Sequence, residues 1–389
     1  MHTLESKFSL DSEFELFLAQ RKENGLLRSF GQERDTNKID FYSNDYLGLC
    51  QNDELWPSIQ AEMKNGISIG SSGSRLVSGQ NHYIEDLEMA CKVFFNTEEA
   101  LFFPNGYMAN LALLSSVASR HDTIIYDEQS HVSLKDGMRL SNAQKYAFRH
   151  NDVNDLEKKL KLSKGKRFVV VEAIYSMDGD VAHLKEIVSL CQSYDAYIIV
   201  DEAHSTGVVG EFGKGLCNAI GLEDKVWARN YTFGKALGAS GAVLAISKFT
   251  KEYLINQSHP LIYSTAPMPL QTFICRQQLK FLEQNPTKIR NLQNVISYWN
   301  EISFSSMSTI SHNENSPVQY YIKQGNKNVV ELANRLQIAG FQIKAMLSPT
   351  VKAGTERLRI SLHSYNSEQQ IASLFKAIRD FENIFTETF

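Results

Sequence analysis

The stretch FVVVEAIYSMDGDVAHLKEIVSLCQSYDAYIIVDEAH, Phe168 to His204, decides the fold. It opens on an apolar run, Phe168 to Glu172, passes through a helical pattern at His183 to Tyr194, and ends in a second apolar run, Tyr197 to Val200. Asp201-Glu202-Ala203-His204 closes it. Strands that are apolar throughout are buried on both faces, and strand–helix–strand repeats of such strands form parallel pairs covered by helices. The alternation extends in both directions. Before it, strands are predicted at Ala100 to Phe103, Thr123 to Tyr126 and Lys145 to Phe148, with helices at Tyr83 to Phe94, Tyr107 to Ser119, Val132 to Leu140 and Val153 to Leu162. After it come strands at Val226 to Tyr231 and Ala242 to Ile246. The fold class is therefore α/β, with a large domain built on a mainly parallel sheet. Ligands of such sheets bind outside the carboxyl ends of the strands, so the residues just after each strand carry the functional reading.

Outside this region the rhythm changes. Asp11 to Asn24 places Phe14, Phe17 and Leu18 at helical spacing, and Ile39 to Tyr42 is a short strand. Gly66 to Gly79, rich in glycine and serine, is loop. Beyond Pro286, strands near Val318 to Ile322, Gln342 to Met346 and Arg357 to Leu362 alternate with helices near Val329 to Ile338 and Glu368 to Phe381. This organisation predicts an N-terminal segment (1–44), a large domain (45–285) and a smaller α+β domain (286–389).

Composition removes several functions. A net charge of −4 over 389 residues gives no reason to expect nucleic acid or an anionic membrane as partner. No apolar run is long enough to span a membrane, and Met1 to Leu10 is polar, with no signal-peptide core. Five scattered cysteines with no Cys-x-x-Cys pair argue against a disulfide framework and against a zinc site, and fit a reducing compartment such as the cytoplasm.

Thr232-Phe233-Gly234-Lys235-Ala236-Leu237-Gly238 sets a lysine between two buried strands, where burial would lower its pKa toward nucleophilic use. Taken alone it equally reads as a surface-loop lysine. Asp201 follows another strand; as an isolated carboxylate it could be a helix N-cap. The DEAH tetrapeptide also suggests an ATPase, but the Gly-Lys pairs at 165, 213 and 234 are followed by Arg, Gly and Ala, so no phosphate-binding Gly-Lys-Ser/Thr loop exists. Lys235 with Asp201 matches pyridoxal phosphate (PLP) chemistry, which needs an amine for the aldehyde and a carboxylate for the pyridine nitrogen. His204 shares the turn of Asp201 and could reach the phenolic oxygen. Gly106 and Tyr107 open a helix after a strand and could receive the phosphate, with the Thr232 hydroxyl beside them. His131 could stack on the ring, or simply start a helix.

These residues resemble the α-oxoamine synthase family of fold-type I PLP enzymes, which join an amino acid to an acyl thioester with loss of carbon dioxide. The resemblance covers nearly the whole chain through NDYLGL (Asn44 to Leu49), SGSRLVSG (Ser72 to Gly79), NGYMAN (Asn105 to Asn110), SHVSL (Ser130 to Leu134), SMDGD (Ser176 to Asp180), VDEAHSTGVVG (Val200 to Gly210), TFGKALG and LIYST (Leu261 to Thr265). HND (His150 to Asp152) and PTVKAGTERLR (Pro349 to Arg359) resemble the branch that uses L-alanine and a pimeloyl thioester, carried by CoA or acyl carrier protein. The resemblance implies that Lys235 holds PLP and removes the α-proton, Asp201 pairs with the ring nitrogen, His204 contacts the phenolic oxygen and His131 stacks on the ring. It implies phosphate contacts from Gly106, Tyr107 and Thr232, joined by Ser264 and Thr265 of a second subunit in a homodimer. Asn44 and Ser176 would lie near substrate and cofactor, Arg359 would clamp the amino-acid carboxylate, and Arg28 would be a further substrate-region arginine. Arg-Leu-Arg alternation at 357–359 is equally what any half-exposed strand shows. Two departures occur: Ser72-Gly73 stands where much of the family has Gly-Gly, and Lys352 where proline is common. The alternatives are another α-oxoamine synthase using glycine or serine, a fold-type I aminotransferase or lyase, and a non-catalytic partner subunit of the same fold.

Overall fold

The computed structural model describes residues 9–28, 30, 35, 37–304 and 310–386; Met1 to Phe8 of the polar N-terminal stretch lie outside them. A helix, Ser9–Glu23, and a two-residue strand, β1 (Ile39–Asp40), precede the large sheet. Its strands are β2 (Glu99–Phe103), β3 (Thr123–Asp127), β4 (Gln144–Phe148), β5 (Arg167–Glu172), β6 (Ala196–Asp201), β7 (Ala228–Thr232) and β8 (Ala242–Ile246). They lie in the order β2-β8-β7-β6-β5-β3-β4.

From β4 to β7 every pairing is parallel, as the apolar runs and intervening helices require. β8 is the exception, antiparallel to both β7 and β2. The reversal has a local cause: β7 and β8 are joined by the lysine turn alone, too short for a crossover helix, so the chain must fold back as a hairpin. Side chains on the two sheet faces enter separate apolar clusters. One gathers Leu113, Ile124, Val170 and Leu244, the other Ile125, Val169, Val171 and Val200.

Toward the C-terminus, β9 (Val318–Ile322), β11 (Lys344–Met346) and β12 (Arg357–Ser361) form an antiparallel sheet in the order β11-β12-β9. β10 (Phe341–Gln342) pairs in parallel with β1. A single apolar cluster joins Phe41, Leu47 and Leu49 of the N-terminal region to Leu332, Leu358 and Leu374 near the C-terminus. The NDYLGL segment is thereby pinned between the two sheets, and this brings β12 to the carboxyl edge of the large one.

Two local findings depart from a simple reading of the pattern. The helix at Ser9–Glu23 forms as its spacing predicts, yet Phe14, Phe17 and Leu18 stay exposed, because no described residue covers that face. Ser72 has φ of 47°, in the left-handed region that favours the glycine common in the family at this loop. Among the described residues no helix is long and apolar enough to cross a membrane.

Candidate active site

Lys235 sits on the β7–β8 turn, which is tied at both ends: Phe233 N–H donates to Gly241 O and Ala239 N–H to Phe233 O, each at 2.9 Å. Phe233, Ala236 and Leu237 are buried beneath it. Gly238, at φ 59°, lets the turn press onto the NDYLGL segment; a Cβ there would lie 2.3 Å from the Leu49 carbonyl carbon. With its neighbours fixed, the lysine lines a cavity of about 220 Å³ at the ends of β5, β6 and β7. Burial pushes its pKa down to about 8, against the pull of the Asp201 and Glu172 carboxyls.

Asp201 ends β6 and is buried. It is not a helix cap, since turns follow it. Its Oδ1 accepts the Ala203 N–H at 2.9 Å, while Oδ2 accepts from Asn110 Nδ2 at 2.6 Å and Asn230 Nδ2 at 3.5 Å. The second acid of the tetrapeptide, Glu202, is structural: its two oxygens accept Leu216 and Cys217 N–H at 2.8 Å each. Beside Asp201, in strand register, lies Glu172. Burial and the Asp201 charge push Glu172 up to about 8, and its Oε1 accepts the His131 N–H at 2.5 Å. His131 starts a helix and also faces the cavity. It caps the helix Val132–Leu140 through Nδ1 to the Ser133 N–H, and its ring lines the cavity.

The opposite wall fits an anion. Asn105 caps the helix Gly106–Ser116 by accepting the Met108 N–H, leaving the helix start with Gly106 and Tyr107 on the cavity. A Cβ on Gly106 would stand 2.6 Å from Thr232 Cγ2, so only glycine keeps this cradle open. Thr232 Oγ1 is buried with no hydrogen-bond partner among the described residues. A buried hydroxyl without a partner is costly unless something else supplies one, and a bound phosphate oxygen beside a helix start would. The residues thus fit PLP: an amine of lowered pKa, a fixed carboxylate and an anion cradle share one pocket.

β12 contributes Arg359, 7% exposed. Its Nε donates to Ser176 O at 2.7 Å, Nη1 to Ser361 Oγ at 3.0 Å, and Nη2 to Asn44 Oδ1 at 3.0 Å and Tyr46 Oη at 3.4 Å. All four partners are neutral, and Arg359 forms no ion pair among the described residues. Its neighbour on the same strand face, Arg357, is by contrast paired with Asp178. Tyr46 Oη lies 2.8 Å from His204 Nδ1, so Asn44, Ser176 and Arg359 connect to the cavity through His204. Burial, with Lys235 and Arg359 adding to it, holds the His204 pKa well below its ordinary value.

Of the predicted residues, the fold brings Lys235, Asp201, His204, His131, Gly106, Tyr107 and Thr232 together on one cavity, with Arg359, Asn44 and Ser176 behind His204. Within one chain, Ser264 and Thr265 line a separate small pocket with Arg75 and Pro260. Arg28 is exposed and lines no part of the cavity. The sequence reading missed Asn110, Glu172, Asn230 and Tyr46. Signals existed: Glu172 closes an apolar strand next to the one closed by Asp201, and Asn230 is a polar residue inside a buried strand.

Comparison with known proteins agrees with this geometry. Residues 36–378 match the family described as aminotransferase class I and II. The chain belongs to that family. Within the class I and II aminotransferases, the resemblance to the α-oxoamine synthases holds. The 8-amino-7-oxononanoate synthase of Lysinibacillus sphaericus is 34% identical, with 87% of each chain covered. The structure of 8-amino-7-oxononanoate synthase from Francisella tularensis is 28% identical with a TM-score of 0.78, covering 91% of this chain and 100% of that one. A serine palmitoyltransferase structure with PLP is 25% identical with a TM-score of 0.87, covering 96% of this chain and 98% of that one.

Proposed function

We propose that this chain is a PLP-dependent acyltransferase that condenses L-alanine with a pimeloyl thioester, on CoA or acyl carrier protein, giving 8-amino-7-oxononanoate, carbon dioxide and free thiol in biotin synthesis. One observation carries the reaction class: an amine of lowered pKa, a fixed carboxylate and an anion cradle share one cavity, and a buried guanidinium with no ion pair among the described residues lies behind its His204 wall. The pimeloyl and alanine assignment is supported by the names of the relatives.

PLP, when bound, supplies an aldehyde that amines capture and a ring that withdraws electrons from a bond breaking at the adjacent carbon. Lys235 Nζ would hold the aldehyde and later take the α-proton of alanine, which its lowered pKa permits near neutral pH. Asp201, fixed by Asn110 and Ala203, would keep a proton on the ring nitrogen. His131 would pack on the ring and His204 would donate to the phenolic oxygen. Gly106, Tyr107 and Thr232 would hold the phosphate, with Ser264 and Thr265 contributed by a second copy. Arg359 would take the alanine carboxylate as its one charged partner, with Asn44 and Ser176 orienting its fork. Arg28 belongs to the substrate region in this reading. A cavity of about 640 Å³, lined by Leu49, Trp56, Ile59, Met268 and Ile274 and sharing Ser240 with the first, offers apolar room for the acyl chain.

A homodimer in the cytoplasm completes the proposal. Support for the dimer comes from the uncovered Phe14, Phe17 and Leu18 and from exposed Leu76, Val77 and Tyr263. Support for a reducing compartment comes from the five cysteines, which form no disulfide among the described residues and four of which are buried.

Lys235→Ala is expected to abolish both the visible absorbance of lysine-held PLP and thiol release from pimeloyl-CoA; a variant that keeps both sinks the assignment. The backbone likeness to serine palmitoyltransferase favours one other reading, an α-oxoamine synthase for serine. Thiol release measured across alanine, glycine and serine, with pimeloyl and longer acyl thioesters, separates the two.

A further inference from the structure

Three neighbouring strands, lying in the order β6-β5-β3, end in buried acids: Asp201, Glu172 and Asp127. The outer two are well supplied with donors. Asp127 accepts from His150 Nδ1 at 2.9 Å, Gln129 N–H at 2.8 Å and Asn151 N–H at 2.9 Å. Asp201 accepts from the Ala203 N–H and from the amides of Asn110 and Asn230. The middle carboxyl accepts the His131 N–H alone among the described residues, and forms no ion pair there. Glu172 is in register with Asp201, on strands that run about 4.8 Å apart, and both line the cavity. Two buried carboxyls this close do not both ionise readily, and the proton stays on the one with fewer donors. The titratable groups facing Glu172 are Asp127 from β3, Tyr175 from beyond β5, Asp201 from β6, His131 from the start of the helix Val132–Leu140, and Lys235 from the β7–β8 turn. Burial and the charges of Asp201 and Asp127 favour the neutral acid, while Lys235 and the His131 N–H oppose it. Burial also keeps the Tyr175 phenol protonated.

We propose that Glu172 is a positioning residue held as a neutral carboxylic acid near neutral pH, and that its neutrality leaves Asp201 as the one carboxylate acting on Lys235. Oε1, which accepts the His131 N–H, is then the carbonyl oxygen of the acid, and the proton sits on Oε2. An ionised Glu172 would place a second negative charge beside Lys235 and hold its amine as an ammonium to higher pH. The proton on Glu172 therefore keeps the lysine usable as an amine, and leaves the ionised state to Asp201, which has the donors to support it. Above pH 8 the acid ionises, and the cavity gains the charge that it lacks at neutral pH.

The charge state is read by infrared spectroscopy on the full chain, with and without PLP. Near neutral pH the difference between wild type and Glu172→Gln should show the carbonyl stretch of a protonated carboxylic acid. The band should move to lower frequency when glutamate is labelled with 13C, and fade as the pH is raised past 8. The absence of such a band near neutral pH overturns the proposal. Glu172→Asp serves as a second variant that keeps a carboxyl: any acid band it retains should no longer move with labelled glutamate, and a band that still moves also overturns the proposal. The second readout is the pH titration of the visible absorbance of lysine-held PLP. In the wild type Glu172 loses its proton within the same range, so the curve should be broader than that of a single proton. Glu172→Gln should follow a single-proton curve. Glutamine still accepts the His131 N–H, so a merely structural role predicts superimposed curves; superposition, or two single-proton curves displaced from each other, overturns the proposal. The visible arm rests on the reading of Lys235 given above, and the infrared arm does not. If wild type shows no visible band with PLP, the reading of Lys235 has failed and the infrared bands alone decide the charge of Glu172.

Discussion

His150 and His204 both follow strands at the carboxyl edge of the large sheet, and they are held in opposite charge states. His150 lies between two carboxylates, with Nδ1 2.9 Å from Asp127 Oδ1 and Nε2 2.7 Å from Asp180 Oδ2. Those partners outweigh burial and push its pKa up to about 10. Among the described residues the His204 ring hydrogen-bonds the Tyr46 hydroxyl alone, and burial, with Lys235 and Arg359 nearby adding to it, drives its pKa down. The contrast separates two uses of charge in one fold. Around His150 charges are matched and tie the end of β3 to the Ser176–Asp180 loop. Around His204, Arg359 has no ion-pair partner among the described residues, and that side of the molecule can accept an anion.

The largest test is His150→Gln, which leaves two carboxylates facing each other without a cation. It is expected to cost about 3 kcal/mol of stability, read from urea midpoints, in line with breaking a largely buried ion pair. Arg359→Gln should do the reverse. It removes a cation with no carboxylate partner, so the thermal midpoint should stay or rise, while KM for L-alanine climbs about a hundredfold, or ~2.7 kcal/mol. A stability loss comparable to that of His150→Gln would erase the distinction between the two regions. The pH dependence comes next in size. Because the folded-state pKa of His150 is raised above the ordinary 6.5 to about 10, its stabilisation is fully present below pH 6.5 and is lost as pH rises through 10. The gap between wild type and His150→Gln should therefore shrink by about 2 kcal/mol between pH 6 and pH 10.5. The smallest effect is expected for His204→Gln, about 1 kcal/mol for one neutral hydrogen bond. Its pH dependence has the opposite sign: the folded-state pKa lies below 6.5, so wild type loses stability as pH falls from 7 to 5 and the gap narrows on acidification.

β3, β5 and β6 were legible because each is an apolar run set off by helices, a pattern with one architectural solution, while β4 is a largely exposed edge strand that the same alternation places. Lys235, Asp201, His131 and Gly106 could be found for the same reason, since they sit where such strands stop. The antiparallel direction of β8 was legible only in the length of the connection, since the residues from 233 to 241 leave no room for a crossover helix; the strands at 228–232 and 242–246 do not themselves encode it. Tyr46 was passed over within NDYLGL because its role depends on Arg359, more than three hundred residues away, and no local pattern encodes that approach. Asn110 was hidden by its helix: it reads as one polar position in an apolar stretch until the fold aims its amide at Asp201. The N-terminal helix was predicted from the spacing of Phe14, Phe17 and Leu18, but spacing states only that a face is apolar, not what covers it.

The close approach of Gly238 to Leu49 bears on how a saturation mutagenesis screen of this protein would look. With φ at 59° and a carbonyl carbon 2.3 Å from any added Cβ, Gly238 should be intolerant of every side chain, and the loss would fall on protein abundance. Lys235, three positions earlier, should lose turnover while the protein accumulates normally. A screen scored by growth alone would merge the two into one intolerant block; scored in parallel for abundance, it would resolve the block into a folding position and a chemical one.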